Sequence, residues 1–256
     1  MENPKKIAEI KQELKAAEDI LLPAFIEEYR SDERTGVKEL VAAACRRQEK
    51  YTCELIRTEG LKEYERKYEG YGMVCGIDEV GRGPLAGPVV AGAVILPRDC
   101  KILYLNDSKQ LSGKKREELY DIIIKEAVSW GIGMVSPQRI DEINILQATY
   151  EAMVEAIHNL SVVPDVLLND AVTIPGVLMK QVPIIKGDAK SVSIGAASIV
   201  AKVTRDRLMQ TYAEILPEYG FQSNKGYGSA AHIEALKKYG PSPIHRKSFI
   251  GNFVDL

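Results

Sequence analysis

The chain has 256 residues, of which 45% are hydrophobic and 27% charged, and its formal net charge is −2. This composition is normal for a globular protein of one large or two smaller domains, and no apolar run approaches the roughly 20 residues that a membrane span needs. Because the net charge is close to zero, a polyanionic partner would have to bind at local basic patches.

Residues 1–72 are predicted to be helical. Apolar residues recur near helical spacing from Ile7 to Leu21, and Pro23 interrupts this pattern. A second helix is expected from about Asp32 and a third around Leu55 to Tyr68. The Lys/Glu-rich start of the region is not expected to be a signal peptide, and its basic residues are accompanied by glutamates, which is typical of a solvated charged face.

The four cysteines show no C-x-x-C spacing and have no histidine nearby. A zinc site is therefore not expected, and reduced thiols in a cytosolic protein are favoured. The four residues are Cys45, Cys53, Cys75 and Cys100.

The segment from Val74 to Leu96 organises the rest of the chain. Two apolar runs flank a loop of glycines and prolines, which predicts a strand, a tight loop and a second strand. Asp78 and Glu79 lie where the first strand meets the loop. Successive side chains of a strand point to opposite faces, so the two acids can share a site only if the strand ends or twists there. A divalent cation would compensate their repulsion, and a solvated strand end is the alternative.

The loop itself carries Gly81-Arg82-Gly83, whose backbone N–H groups and guanidinium suit close approach to a phosphate or a sugar. Its glycine spacing misses the dinucleotide fingerprint by one residue. A Walker loop is excluded as well, because Lys115 follows Gly113-Lys114.

Two further apolar strands each lead to an acid, as the first strand does. One ends at Asp170, and the other, Val182 to Ile185, is followed by Lys186-Gly187-Asp188. In open α/β sheets ligands bind at the carboxyl edge, so these acids could meet there with Asp78 and Glu79. Each acid alone is more often a turn residue, and a metal cluster at this edge is the alternative.

Helices are predicted between and after these strands. Ser112 can cap a helix that carries Leu119 and Ile123, the strand Gly131 to Val135 follows, and an amphipathic helix begins near Leu146. A helix from about Ser193 to Leu216 has a face of small residues, and a helix Ala230 to Tyr239 is capped by Ser229 and ended by Gly240.

Polar loops complete the candidate binding residues. Tyr227 lies between two glycines. It is either an ordinary turn residue or an exposed platform for a sugar or base. Residues 243–249 form a compact basic patch with an aromatic residue, and His232 and His245 have no obvious ligand partners. For Asp206 the pattern favours pairing with Lys202 on the helix surface.

Several motifs in the same order resemble bacterial ribonuclease HII, the type 2 ribonuclease H, over roughly residues 74–250. One departure is Gly195, where the family more often has alanine. The motifs are Asp78-Glu79-Val80-Gly81-Arg82-Gly83-Pro84-Leu85-Ala86-Gly87-Pro88, Asn106-Asp107-Ser108-Lys109, Lys186-Gly187-Asp188, residues 196–206, Lys225-Gly226-Tyr227-Gly228 and His245-Arg246-Lys247-Ser248-Phe249.

The resemblance implies an α/β, ribonuclease H-like fold with a mixed central sheet flanked by helices. It divides the chain into a helical accessory region, residues 1–72, and a catalytic domain, residues 73–256, with a C-terminal helical segment. The accessory region resembles the N-terminal extension of some Gram-positive ribonucleases HII, with substrate binding as its expected role and stabilisation as the alternative.

The implied activity is endonucleolytic cleavage of RNA in RNA–DNA hybrids, including single ribonucleotides embedded in duplex DNA. Two Mg²⁺ or Mn²⁺ ions would serve phosphodiester hydrolysis that leaves 5′-phosphate and 3′-hydroxyl ends. The resemblance implies Asp78, Glu79, Asp170 and Asp188 as catalytic metal ligands. It implies substrate contacts from Gly81, Arg82, Gly83, Asn106, Ser108, Lys109, Lys186, Tyr227 and Arg246.

Two other functions are also consistent with these motifs. One is a nucleic-acid-binding protein that does not cleave, and the other is a ribonuclease HIII-like nuclease that acts only on longer RNA tracts. We expect a cytoplasmic monomer without a membrane partner, acting in ribonucleotide excision repair and DNA replication; the sequence identifies no protein partner.

Overall fold

The computed structural model describes residues 5–254 and divides into two compact units, one ending at Gly60 and the other beginning at Leu61. The helices are α1 Ile7–Ala16, α2 Leu22–Tyr29, α3 Thr35–Gly60, α4 Glu63–Tyr68, α5 Gly113–Glu126, α6 Pro137–His158, α7 Val192–Ile215, α8 Phe221–Asn224, α9 Ala230–Tyr239 and α10 Lys247–Ile250. The strands are β1 Val74–Val80, β2 Val89–Ile95, β3 Ser129–Val135, β4 Val166–Asp170 and β5 Lys180–Ile184. None of the helices in this part of the chain is both long and apolar enough to cross a membrane.

The first unit consists of α1, α2 and α3, which confirms the predicted helical region. Its apolar core contains Ile10, Leu22, Phe25, Val37 and Ala44. The predicted third helix is divided differently in the structure: its first part belongs to α3, whereas α4 lies in the second unit. The boundary between the two units in the chain therefore follows residue 60, and residues 61–72 belong to the unit that contains the sheet.

The second unit is built on a five-stranded mixed sheet with the order β3-β2-β1-β4-β5. β1 pairs antiparallel with β2 and parallel with β4, and β4 pairs parallel with β5. The predicted strand, loop and strand around residues 74–96 are confirmed as an antiparallel pair. Because β1, β4 and β5 run in the same direction, their carboxyl ends lie at one edge of the sheet.

Helices cover both faces of this sheet. On one face α6 packs through Ala152 and Met153 against Ile77 and Ala91. On the other face the small residues of α7 allow very close packing: a Cβ on Gly76 of β1 would overlap the backbone of Ser193 and Ile194. The predicted ribonuclease H-like arrangement of a mixed sheet flanked by helices is confirmed.

The predicted amphipathic helix is the second half of α6. Asn144 has a φ of 70° inside α6 and breaks it into two parts. Its Oδ1 accepts hydrogen bonds from the N–H groups of Leu146 and Gln147, at 3.0 and 3.1 Å, and so caps the second part. This cap explains why the regular apolar spacing begins at Leu146.

Residues 61–72 are attached to the start of α7. Leu61 is buried, and its carbonyl accepts a hydrogen bond from the N–H of Val192 at 3.2 Å. Glu65 Oε1 accepts from Ser191 Oγ at 2.5 Å and from the N–H of Ser193 at 3.0 Å. α4 is thus part of the support for the helix that lies against β1.

We therefore expect a 61–256 fragment to fold and a 73–256 fragment to be less stable. The shorter fragment leaves backbone groups at the start of α7 without their partners, which costs about 1–3 kcal/mol for a buried group. Thermal unfolding followed by circular dichroism measures the difference, and we expect a midpoint several degrees lower for 73–256. Equal midpoints would show that α4 contributes nothing to the stability of the second unit.

Candidate active site

The acids at three strand ends lie at the carboxyl edge of the sheet. Asp78 and Glu79 lie near the carboxyl end of β1, just before its last residue, and Asp170 is the final residue of β4. Asp188 lies in a single 3₁₀ turn, Gly187–Ala189, that follows β5. This turn is joined to β4, because the N–H of Gly187 donates to Asp170 Oδ1 at 2.7 Å.

Asp78 is the most deeply buried of the acids, with 7% of its surface exposed. Its Oδ1 accepts the N–H of Glu79 at 2.8 Å, and the hydroxyl of Ser198 on α7 lies near its carboxylate. Burial raises the pKa of Asp78 well above its usual range, and the negative charges of Glu79 and Asp170 raise it further. The ionised form is therefore unfavourable without a nearby positive charge.

The neighbouring acids share this environment. Burial raises the pKa of Glu79, and the charge of Asp170 adds to the effect, while the Arg82 guanidinium opposes it from 3.3 Å. Burial also raises the pKa of Asp188, followed by the charges of Asp107 and Asp170. The electrostatic effects connect all four predicted ligands in one region of excess negative charge.

The composition of this region suits a hard divalent cation. Carboxylate oxygens are the ligands that Mg²⁺ and Mn²⁺ prefer, and a bound cation would favour the ionised forms that burial disfavours. Among residues 5–254 no three carboxylate, imidazole or thiol groups are close enough together to form a ready metal site. The donor chemistry of the four predicted ligands fits these ions.

The loop after β1 lies beside the acids. Gly81 is buried with a φ of 92°, and Arg82 and Gly83 are exposed. A Cβ on Gly83 would meet no heavy atom within 4 Å, so space is open over this residue. The two glycines therefore differ: Gly81 is required by the backbone of the loop, and Gly83 leaves room for an incoming molecule.

Tyr227 is 43% exposed, and its ring lies 5.9 Å from the guanidinium carbon of Arg205. Its carbonyl is 2.8 Å from Nδ1 of the buried His232, whose Nε2 is 3.0 Å from Nε2 of His245. Burial lowers the pKa of both histidines, and the proximity of His232 helps to lower that of His245 to about 4. The pair is neutral at neutral pH and supports the Tyr227 loop.

The other predicted substrate-binding residues divide into exposed and buried ones. Lys109 and Lys186 are exposed, and Asn106 is half-buried. Lys109 is close enough to Asp78 and Asp188 for their charges to raise its pKa, although burial opposes this.

Two of the predicted substrate-binding side chains, those of Ser108 and Arg246, are buried. Ser108 is 3% exposed, and its hydroxyl lies 2.9 Å from that of Ser198. Arg246 is completely buried, and its guanidinium binds backbone carbonyls. Both side chains face internal partners, and their contact with a substrate stays a prediction, because a sequence motif does not show which of its members face inward.

Comparison with known proteins identifies the family of this chain. The family model for ribonuclease HII matches residues 75–252, and the model for the ribonuclease HII N-terminal domain matches residues 6–69. The chain belongs to the ribonuclease HII family. It is 64% identical over 249 residues to the ribonuclease HII of Lachnoclostridium phytofermentans, a match that covers 97% of this chain and 98% of the relative. A ribonuclease HII family member is a hydrolase that degrades the RNA of RNA–DNA hybrids.

Solved structures share the fold of this ribonuclease HII family member. The ribonuclease H2 of Pyrococcus horikoshii matches with a TM-score of 0.57 and 32% identity, over 69% of this chain and 93% of that chain. The ribonuclease HIII named Bst-RNase HIII, solved in complex with Mn²⁺, matches with a TM-score of 0.52 and 17% identity, over 65% of this chain and 61% of that chain.

The fourth predicted ligand can be tested against a nearby acid. Asp206 pairs with Lys202 Nζ at 2.6 Å on α7, as the sequence predicted, whereas Asp188 lies within the turn whose Gly187 N–H donates to Asp170. We expect Asp188→Asn to lose about 10-fold or more of its hybrid cleavage rate and Asp206→Asn to keep most of it. Gel assays with a labelled hybrid measure both rates. Inactive Asp206→Asn beside active Asp188→Asn would assign the position to Asp206.

Proposed function

We propose that this ribonuclease HII family member cleaves the phosphodiester bond at single ribonucleotides embedded in duplex DNA, as well as in longer hybrids. One observation carries the proposal: the four acids lie at one edge of the sheet, next to a loop with open space over Gly83, and this loop is hydrogen-bonded to the segment that carries the exposed Tyr227. The 2′-hydroxyl distinguishes a ribonucleotide from its DNA neighbours, and reading it requires close approach of a hydrogen-bonding group.

Asp78, Glu79, Asp170 and Asp188 are proposed to hold two divalent ions. When bound, these ions supply water activation and stabilisation of the leaving 3′-oxygen, so that the products carry 5′-phosphate and 3′-hydroxyl ends. The hydrogen bonds from the N–H of Glu79 to Asp78 and from the N–H of Gly187 to Asp170 orient the carboxylates. The Mn²⁺ complex of Bst-RNase HIII supports a divalent metal in this fold and leaves Mg²⁺ and Mn²⁺ as candidates here.

The remaining parts of the chain have proposed supporting roles. Exposed Arg82, Lys109 and Lys186 would contact the phosphate backbone and fix the position of the duplex, without reading its sequence. The helical region of residues 1–72 would add substrate binding. We propose that the protein is a cytoplasmic monomer and that its activity serves ribonucleotide excision repair and DNA replication.

Cleavage-site mapping on a duplex with one ribonucleotide tests the proposal. The labelled duplex is incubated with the protein and Mg²⁺ or Mn²⁺, beside an all-DNA duplex and a long hybrid as controls. We expect one cut at the ribonucleotide and none in the all-DNA duplex. Cleavage of the long hybrid alone would favour the ribonuclease HIII-like alternative, and binding without any cleavage would favour a binding protein.

Tyr227 provides a second test of ribonucleotide reading. In a single embedded ribonucleotide only one register is productive, whereas a long hybrid offers many. We expect Tyr227→Ala to lose more kcat/KM on the embedded ribonucleotide, about 10-fold beyond its loss on the hybrid, because stacking on a base or sugar contributes about 1–3 kcal/mol. Tyr239→Ala, at an exposed tyrosine on α9, is the control. Equal losses on both substrates would assign Tyr227 to general binding.

A further inference from the structure

Two arginines of the second unit, Arg205 and Arg246, are completely buried. Burial and the nearby charge of Arg205 lower the pKa of Arg246 to about 9, so Arg246 remains charged at neutral pH. Burying a charged group is costly, and an apolar side chain of similar size is often at least as good for stability. The hydrogen bonds of these two side chains therefore indicate what they contribute to the site.

Arg205, on α7, connects two loops. Its Nε donates to the carbonyl of Pro88 at 3.0 Å and its Nη2 to that of Ala86 at 3.0 Å, at the end of the loop after β1. Its Nη1 donates to the carbonyl of Lys225 at 2.9 Å, two residues before Tyr227. One guanidinium thus fixes the distance between the glycine loop, residues 81–88, and the tyrosine loop, residues 225–229.

Arg246 holds the other part of the glycine loop. Its Nη1 donates to the carbonyl of Arg82 at 2.9 Å, and its Nη2 donates to those of Gly81 and Gly87 at 2.5 and 2.8 Å. Its Nε donates to the carbonyl of Gly87 at 2.9 Å. The two ends of the loop are therefore tied to one side chain, beside the open space over Gly83.

Backbone bonds complete the connection between the same two loops. The N–H of Leu85 donates to the carbonyl of Gly226 at 2.8 Å, and the N–H of Arg246 donates to the carbonyl of Leu85 at 2.9 Å. Gly81 is close to Arg205 because it lacks a side chain: a Cβ there would overlap Nε of Arg205. The glycine loop, the tyrosine loop and both arginines form one hydrogen-bonded assembly.

We propose that Arg205 and Arg246 are positioning residues that hold the glycine loop and Tyr227 at a fixed separation and so determine selectivity for a single ribonucleotide. This inference rests on the proposed function. A guanidinium is a planar fork with five N–H donors, and it can reach carbonyls of two segments at once. An ammonium group keeps the charge but offers its donors from a single nitrogen atom.

Arg→Lys variants separate positioning from charge. We compare Arg205→Lys and Arg246→Lys with Arg207→Lys, a control for the same change at a half-exposed residue of α7 that pairs with Glu117. kcat and KM are measured on a duplex with one ribonucleotide and on a long hybrid, with folding checked by circular dichroism. We expect the ratio of kcat/KM between the two substrates to fall about 10–100-fold in both buried variants, since small misplacements of positioning groups cost this much.

The readouts distinguish positioning from a merely structural role. In both buried variants we expect kcat for the embedded ribonucleotide to fall and KM for the long hybrid to stay unchanged. We expect Arg207→Lys to keep the wild-type ratio of kcat/KM between the two substrates. A lower melting temperature with an unchanged ratio in the buried variants would overturn the inference, as would an equal fall in Arg207→Lys. Arg205→Gln and Arg246→Gln, which keep two N–H donors, are measured in the same way if a lysine variant does not fold.

The proposed function and this inference fail differently. A wild-type protein that cuts only long hybrids would refute the proposed function, and with it the inference. A wild-type protein that cuts at the single ribonucleotide, combined with unchanged selectivity in the folded variants of both arginines, would overturn the inference alone.

Discussion

Asp78→Asn is expected to lose nearly all cleavage activity while it becomes more stable in metal-free buffer. Asparagine keeps the size of the side chain and an oxygen for the N–H of Glu79, but it removes the charge that burial and two neighbouring acids make unfavourable. Loss of outer-shell groups at metal sites costs about 10–100-fold, so loss of a direct ligand should cost about 100-fold or more. The stability change follows from the raised pKa of Asp78, which means that folding disfavours the ionised form at neutral pH.

Cleavage rates at saturating Mg²⁺ and melting temperatures with and without the ion measure both effects. We expect Mg²⁺ to raise the melting temperature of the wild type more than that of the variant, because binding to the folded state stabilises it. Glu79→Gln and Asp170→Asn should also be nearly inactive. Asp165→Asn is the control, since Asp165 accepts the N–H of Met73 at the opposite end of β1. Near-normal turnover in Asp78→Asn would remove this residue from the site.

Much of the fold could be predicted from the sequence because local pattern and tertiary structure agree there. The apolar run at residues 166–170 is β4, and Ser112 and Ser229 cap the helices that they were predicted to cap. The strand ends also predicted the edge at which the acids lie, because parallel strands bring their carboxyl ends to the same side. These features depend on short segments whose residues determine their own conformation.

The internal supports of the site could not be predicted, because they depend on contacts between distant segments. Arg246 lies in a basic motif that is equally consistent with exposure, and only the structure shows its bonds to carbonyls 159–165 residues earlier in the chain. His232 and His245 gave no signal in the sequence because they bind each other, and their remaining partners are the Tyr227 carbonyl for His232 and Ser242 for His245. Ser198 appeared only as one of the small residues of α7, and its hydroxyl lies near the carboxylate of Asp78 and 2.9 Å from the hydroxyl of Ser108.

The substitutions Gly81→Ala and Gly83→Ala should separate the internal role of the glycine loop from its contact with substrate. At Gly81, with a φ of 92°, alanine is strained, and its methyl would overlap Arg205 and lie 2.7 Å from the carbonyl of Pro88. The strain alone costs about 1–2 kcal/mol, before the overlap is counted. We therefore expect Gly81→Ala to lower both the melting temperature, by several degrees, and the activity on every substrate.

For Gly83→Ala we expect an unchanged melting temperature and a loss of activity of about 10-fold or more on both the embedded ribonucleotide and the long hybrid. A methyl group here meets no heavy atom of the protein within 4 Å, so it can act only on a molecule that occupies the open space. Displacing a reacting group by about 1 Å can cost about 100-fold. Gly240→Ala is the control for the backbone strain in Gly81→Ala. Gly240 ends α9 with a φ of 77°, and a Cβ there would meet no heavy atom within 4 Å. Full activity of Gly83→Ala on both substrates would show that this part of the loop does not approach the nucleic acid, and the proposed reading of the ribose would then have to rest on Tyr227 alone.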